Sequence, residues 1–371
     1  MSANTDPAGQ PAVPAGNGSR TASPAPQRQT MQAIVQDAYG AAGVWRVEEI
    51  TQPQIAANEV LVQVRAAGMD RGVWHVMTGL PYLARLAFGF RKPKSPVPGF
   101  DLAGTVVATG AAVTRFTAGD PVFGIGRGSF AEYAAARESK LARKPANLTF
   151  EQAAAVPVSG LTALRGLLDV GHLQAGQHVL IIGASGGVGT FAVQIAKASG
   201  ADVTGVSSTA KTDLVRSLGA DHVLDYTRDD FADGSRRYDL ILDTGGNSPL
   251  SRLRRALAPG GRLVIVGGEG AGNLTGMGRP VRALAVSPFV SQRLTMLVPK
   301  EHYADLERLT ELIEAGAIAP SIDRAYPLHQ APEAMRHLEA GHARGKLVIA
   351  VTDPGKPPRP VPAEPDPPPT P

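Results

Sequence analysis

A chain of 371 residues with a net charge of +4 and no cysteine has room for two domains. It excludes disulfides, thiolate nucleophiles and cysteine-ligated zinc. The mild basicity carries no basic block interleaved with aromatics, so no nucleic-acid partner is expected. No run approaches ~18 apolar residues and the first residues lack a signal peptide's apolar core, so no membrane partner is expected and the chain reads as cytoplasmic.

Fifteen of the 31 prolines lie within residues 1–30 and 353–371. Neither end has periodic apolar residues to offset the entropy of ordering, and both are expected to be disordered tails. From Met31 the pattern is short strands and turns: Met31–Gln36, Glu59–Ala66, Phe100–Ala108, Asp120–Gly124 and Phe130–Ala134, with turns at Gly110 and Gly119. This predicts a β-rich region, a partly open barrel. Thr149 and Gln152 then have capping-box spacing ahead of an alanine-rich helical segment that Pro157 interrupts. Strands at Val179–Ile182, Val203–Val206, His222–Leu224, Leu240–Leu242, Leu263–Val266 and Leu294–Val298 alternate with helical stretches such as Lys211–Leu218 and Pro249–Leu257. That alternation predicts an α/β fold with a doubly wound parallel sheet. Tyr303–Ala315 and Pro332–Ala340 read as helices and Lys346–Val351 as a closing strand. These are too few for a domain, so the chain is expected to return to its β-rich part.

The chemistry is concentrated after Val179–Ile182. Ala184, Ser185, Gly186, Gly187, Val188 and Gly189 form a glycine-rich turn between an apolar strand and the helical stretch from Phe191. Its spacing is that of a dinucleotide fingerprint whose first glycine is alanine. Unpaired amides and the positive end of a helix dipole meet there and suit a pyrophosphate. The second strand ends in Ser207 and Ser208 with no acid at its tip, and Lys211 follows. Hydroxyls and an ammonium accept a ribose 2′-phosphate that a carboxylate would repel, so NADP(H) is the expected cofactor. Read alone, the serines could instead cap a helix and Lys211 could be solvated. Asp243, Thr244, Val266, Gly267 and Gly268 end the fourth and fifth strands, where doubly wound sheets bind ligands.

Several motifs together resemble the medium-chain dehydrogenase/reductase superfamily, in its zinc-independent quinone oxidoreductase branch. They are Ala67–Asp70 with Gly79, Pro98–Gly104, Ala118–Phe123, Gly128–Tyr133, Ser159–Ala163, Ala184–Gly189, Ser217–Asp221 and Arg344–Ile349. The resemblance implies a GroES-like β-rich catalytic domain over residues 31–150 and 300–352. It further implies a Rossmann nucleotide-binding domain over 151–299, a cleft between the two, and a homodimer. It also implies a nicotinamide contact at Thr162 and an adenosine-phosphate contact at Tyr226. Where zinc-dependent members carry ligating Cys and His, this chain has Asp70 and Phe100, and no metal is expected.

Without a metal, the reaction must spread its negative charge. Hydride addition to an enone gives an enolate and addition to a quinone gives a hydroquinone anion, and oriented donors can stabilise both. The expected substrate is therefore a quinone or α,β-unsaturated carbonyl. A metal-free carbonyl reductase and a catalytically quiet NADPH-binding protein remain alternatives. Tyr82 stands near the position where related enoyl reductases carry a tyrosine for the enolate. Asp70 stands where many quinone oxidoreductases have Asn, and His75 is a candidate acid. Residues 80–94, mixing apolar and basic types, are expected to cover the cleft.

Overall fold

The computed structural model describes Met1 and residues 29–267, 278–298 and 300–351. The expected tails fall almost wholly outside the described residues, as does Gly268.

The first third of the chain is built from β1 (Thr30–Val35), β2 (Arg46–Thr51), β3 (Glu59–Met69), β4 (Asp101–Thr109), β5 (Pro121–Ile125), β6 (Tyr133–Arg137) and β7 (Leu141–Arg143). Strands β1 and β2 form an antiparallel hairpin of their own. Long β3 is the spine of the rest, pairing antiparallel with β4 along one edge and with β6 along the other. Its buried positions are almost continuous, because a core lies on each face. The segment read as Phe130–Ala134 is shifted: Phe130 and Ala131 form a buried lead-in, and the ladder begins at Tyr133.

A helix that the periodicity reading did not separate spans Arg71–Thr78. Its signals are local: Asp70 caps it by accepting from the Val73 amide, Val73 and Met77 are buried one turn apart, and Gly79 ends it at φ 64°. The capping box at Thr149 and Gln152 is formed in both directions. Helix Phe150–Ala154 stops before Pro157, which opens a second helix, Pro157–Leu164, that continues with wider turns through Arg165–Val170.

The parallel sheet contains β8 (His178–Ile182), β9 (Asp202–Ser207), β10 (His222–Asp225), β11 (Tyr238–Asp243), β12 (Leu257–Ile265) and β13 (Arg293–Met296). Its order is β10-β9-β8-β11-β12-β13 with every pair parallel. This is the doubly wound order, reversing direction between β8 and β11, where such sheets open a ligand crevice. The strands β14 (Ile322–Pro327) and β15 (Lys346–Ala350) rejoin the first sheet, β15 lying antiparallel to β3. One apolar cluster runs through both parts, joining Ala103, Phe123 and Val348 to Val179, Ile181 and Phe191 by way of the helices at 150–164.

Candidate active site

A cleft of about 630 Å³ opens between the two sheets. Its floor is the glycine turn. Helix Gly187–Ala198 starts there with Gly186 as N-cap, and the first intrahelical bond is donated by Thr190 to the Gly186 carbonyl. The amides of Gly187, Val188 and Gly189 precede that bond and are the helix's unpaired donors. The left-handed residue of the turn is Gly183, at φ 83°. A Cβ on Gly189 would lie 2.1 Å from the Gly183 carbonyl, so the third glycine is required by backbone approach. A Cβ on Gly186 would meet only that same oxygen, at 3.4 Å, and would otherwise project into open space. The turn thus forms a cradle of the size and polarity that a pyrophosphate fits.

Ser185, Gly186, Gly187, Val188, Lys211, Tyr226, Thr244, Val266 and Gly267 line this cleft, as do Thr162, Asp70 and His75. Ala184 and Gly189 are buried beneath the turn. Thr162 donates to the Val158 carbonyl within its helix while facing the cleft. Just past the end of β9, Lys211 Nζ donates to the Gly341 and Ala343 carbonyls at 2.7 and 2.8 Å. Burial holds its pKa below the usual lysine range, with the Asp323 carboxylate opposing. Ser207 is buried with its hydroxyl on the Ser208 carbonyl, and Ser208 precedes the turn Thr209–Lys211. Asp202 lies at the opposite, amino end of β9, close to Arg236, His178 and His222. Asp225 is engaged by the hydroxyls of Thr209 and Thr227, chiefly Thr209, which hold its pKa down.

Besides Ser207 and Ser208, which do not line the cleft, two expected contacts are placed elsewhere. Asp243 is fully buried beneath the strand ends, its Oδ2 2.6 Å from Arg279 and its Oδ1 accepting from the Gly246 amide. Burial nevertheless pushes its pKa up. Arg279 also donates to the Gly267 carbonyl, so Asp243 shapes the loop without facing the cleft. Tyr82 is half exposed, because the chain turns outward after Gly79 and its ring stacks on the Arg85 guanidinium at 4.8 Å. Nor do residues 80–94 contribute to the lining. His75 Nδ1 lies 2.6 Å from the Leu80 carbonyl, which fixes the proton on Nδ1 and leaves Nε2 as an acceptor in the neutral ring.

Sequence reasoning did not assemble the charged group beside Asp70, at the other end of the cleft. Lys346, at the start of β15, is fully buried with Nζ 3.1 Å from Asp101 and 3.7 Å from Asp70. Asp101 also accepts from the Val158 amide at 2.9 Å. Burial pushes the Asp101 carboxyl up to about 7, against the pull of Lys346 and with a further push from Asp70. Lys346, between two carboxylates, is held above the usual lysine range despite its burial. Asp70 Oδ2 is buried, lacks a hydrogen-bond partner among the described residues, and belongs to a cleft-lining side chain. The only sequence signal was a lone charge at the head of each of two apolar strands, 245 positions apart.

The site also answers the question of zinc. Asp70 is already next to an ammonium, and Phe100 offers no donor atom and packs beside Gly72. The residues at the expected metal positions do not fit a zinc ion.

Comparison with known proteins agrees with this architecture. Residues 56–146 match the alcohol dehydrogenase GroES-like domain model, and residues 218–349 match the model described as zinc-binding dehydrogenase. The chain is 31% identical over 341 residues to a chloroplast envelope quinone oxidoreductase homolog of Arabidopsis thaliana, covering 86% of this chain and 98% of that one. It is 33% identical over 338 residues to the NADPH-dependent alkenal/one oxidoreductase of the same plant, covering 86% and 79%. Among solved structures, the quinone oxidoreductase from Coxiella burnetii superposes with a TM-score of 0.78 at 28% identity, covering 87% of this chain and all of that one. With its two sheets, its glycine cradle and relatives that match along most of their length, the chain belongs to the medium-chain dehydrogenase/reductase superfamily, in its quinone oxidoreductase branch.

Proposed function

We propose that this oxidoreductase binds NADPH in the cleft and reduces a quinone or an α,β-unsaturated carbonyl without a metal. The observation that carries the reading is the pairing of an amide-lined cradle with a nicotinamide end where, among the described residues, no group of His, Asp or Glu is placed to hold a metal ion. A reduced nicotinamide supplies the hydride when bound. The protein's own part begins with the amides of Gly187, Val188 and Gly189, which hold the pyrophosphate. Lys211, beside Tyr226 and Ser208, gives the adenosine end its preference for a 2′-phosphate. Thr162 and Val266 flank the nicotinamide end, and the Asp70 carboxylate, which lines the cleft beside Lys346, can accept a hydroxyl from ribose or substrate. His75, when doubly protonated, can donate from Nε2 to the oxygen on which charge collects. Residues 31–150 with 300–352 supply the substrate side and 151–299 the nucleotide side. The relatives above are named a quinone oxidoreductase, a homolog of one, and an alkenal/one oxidoreductase, which supports the substrate class.

A homodimer joined through the nucleotide-binding part and a cytoplasmic location complete the reading. Light scattering of the purified chain tests the first. For the activity, the protein is incubated with NADPH and separate quinones, enones and aldehydes while the nicotinamide absorbance is followed. Oxidation with quinones or enones is the expected result; turnover of aldehydes alone, or of nothing, sinks the assignment.

A further inference from the structure

The stretch from Arg71 to Phe100 contains five Lys or Arg and no Asp or Glu. Its middle forms a built surface. Arg85 is fixed by the Gly79 carbonyl at 3.0 Å and lies over the rings of Tyr39 and Tyr82. Tyr39 Oη donates to the Gly89 carbonyl, the Lys94 amide donates to that of Phe88, and His75 holds Leu80. From this frame Leu83, Leu86 and Phe90 project into solvent, Leu86 at 69% and Phe90 at 75% exposure. Leu83 lies in the turn Tyr82–Ala84, Leu86 in the one-turn helix Arg85–Phe88, and Phe90 just past Gly89, which ends that helix at φ 126°. Arg91, Lys92 and Lys94 follow, all exposed. The nearby acid Asp37 is taken up by Arg46.

Large apolar side chains ringed by cations, held by a rigid frame, match an anionic lipid surface. The apolar groups enter the acyl boundary, while the ammonium and guanidinium groups meet headgroup charge. An acidic protein would satisfy the cations but leave Leu86 and Phe90 without a stated role. We propose that residues 80–94 dock this protein peripherally on anionic membranes, beside the rim of the cleft marked by His75. No helix among the described residues is long and apolar enough to cross a membrane, so the contact is with the surface. The proposal stands apart from the redox reading, because lipid binding is measured without turnover.

The test is co-sedimentation of the full chain with phosphatidylcholine vesicles, with and without phosphatidylglycerol. Binding is expected only where phosphatidylglycerol is present and should fall as salt is raised. The variant Arg91→Gln/Lys92→Gln/Lys94→Gln should bind roughly 100-fold more weakly, at about fivefold per cation. Leu86→Ser/Phe90→Ser should lose about tenfold or more. Both variants should keep the wild-type melting temperature, since none of these side chains is packed. Absent binding, equal binding to both vesicle types, or a variant that binds like wild type overturns the proposal. So does a Leu86→Ser/Phe90→Ser protein that is smaller by light scattering but unchanged on lipid, which would make a second copy of the chain the occupant.

Discussion

At the scale of single residues, Lys346 decides whether the Asp70 end of the cleft holds together. Removing it strands two carboxylates in a buried setting, one of them fully enclosed. Lys346→Met should therefore destabilise the fold by about 3–5 kcal/mol, the range for breaking a buried pair from one side. A denaturant midpoint close to wild type would contradict this. Its partner Asp101 gives a pH signature. The carboxyl is raised from an ordinary 3.8 to about 7, so between those values the native chain holds a proton that the unfolded chain has lost. Stability must then fall as pH rises through that window, by at most about 1.4 kcal/mol per pH unit from this group. The carboxylates pulled down by neighbours, such as Asp120 and Asp230, act in the opposite sense and below it. Melting temperatures across the window should decline in wild type relative to Asp101→Asn, and parallel curves would refute the assignment. Lys211 belongs at this scale too. Lys211→Ala should raise the Kd for NADPH about 10- to 100-fold, the worth of a charged hydrogen bond, and that for NADH far less. Equal losses by calorimetry would count against the phosphate site.

At the scale of elements, what was legible is what is local. The glycine turn, its flanking strand and helix, and the capping box at Thr149 each lie within a dozen residues, so spacing alone announced them. The helix Arg71–Thr78 carried its own cap and αL stop, yet was obscured because its two buried residues are too few to set a period. The pairing of Asp101 with Lys346 could not be read, since only the return of β15 to β3 brings them together. Tyr82 shows the reverse error, where a short sequence offset suggested a site that the outward turn after Gly79 does not serve. The cradle itself makes a paired prediction. Gly186→Ala should fold, as φ −86° is open to alanine and the new methyl meets no crowding, but should fill the pyrophosphate space and abolish cofactor binding. Gly189→Ala drives a methyl against the backbone and should lower the melting temperature as well. Tight cofactor binding by the Gly186 variant would move the pyrophosphate elsewhere.

At the scale of the whole molecule, the two sheets are joined in a way that bears on how the cofactor acts. The segment 341–346 lies across the Lys211 end of the cleft: the Gly345 amide donates to the Ser185 carbonyl at 3.0 Å, Lys211 reaches Gly341 and Ala343, and Arg344 bonds the Ala210 carbonyl and Asp213. Elsewhere, Arg308 meets Asp169, and Gln194 donates to the Ala319 carbonyl while accepting from the Ala319 amide. Between these straps, the shared apolar cluster leaves neither sheet with a core of its own on its facing side. Opening one part would expose the helices at 150–164 that the other buries, so the free energy of local opening approaches that of global unfolding. Calorimetry should show a single endotherm, and a ligand held mainly by the nucleotide half should shift all of it. At a free concentration 100 times its Kd, NADP⁺ adds about 2.7 kcal/mol to the whole transition. Two endotherms, with the ligand moving only one, would mean that the straps at 341–346 are too weak to couple the halves.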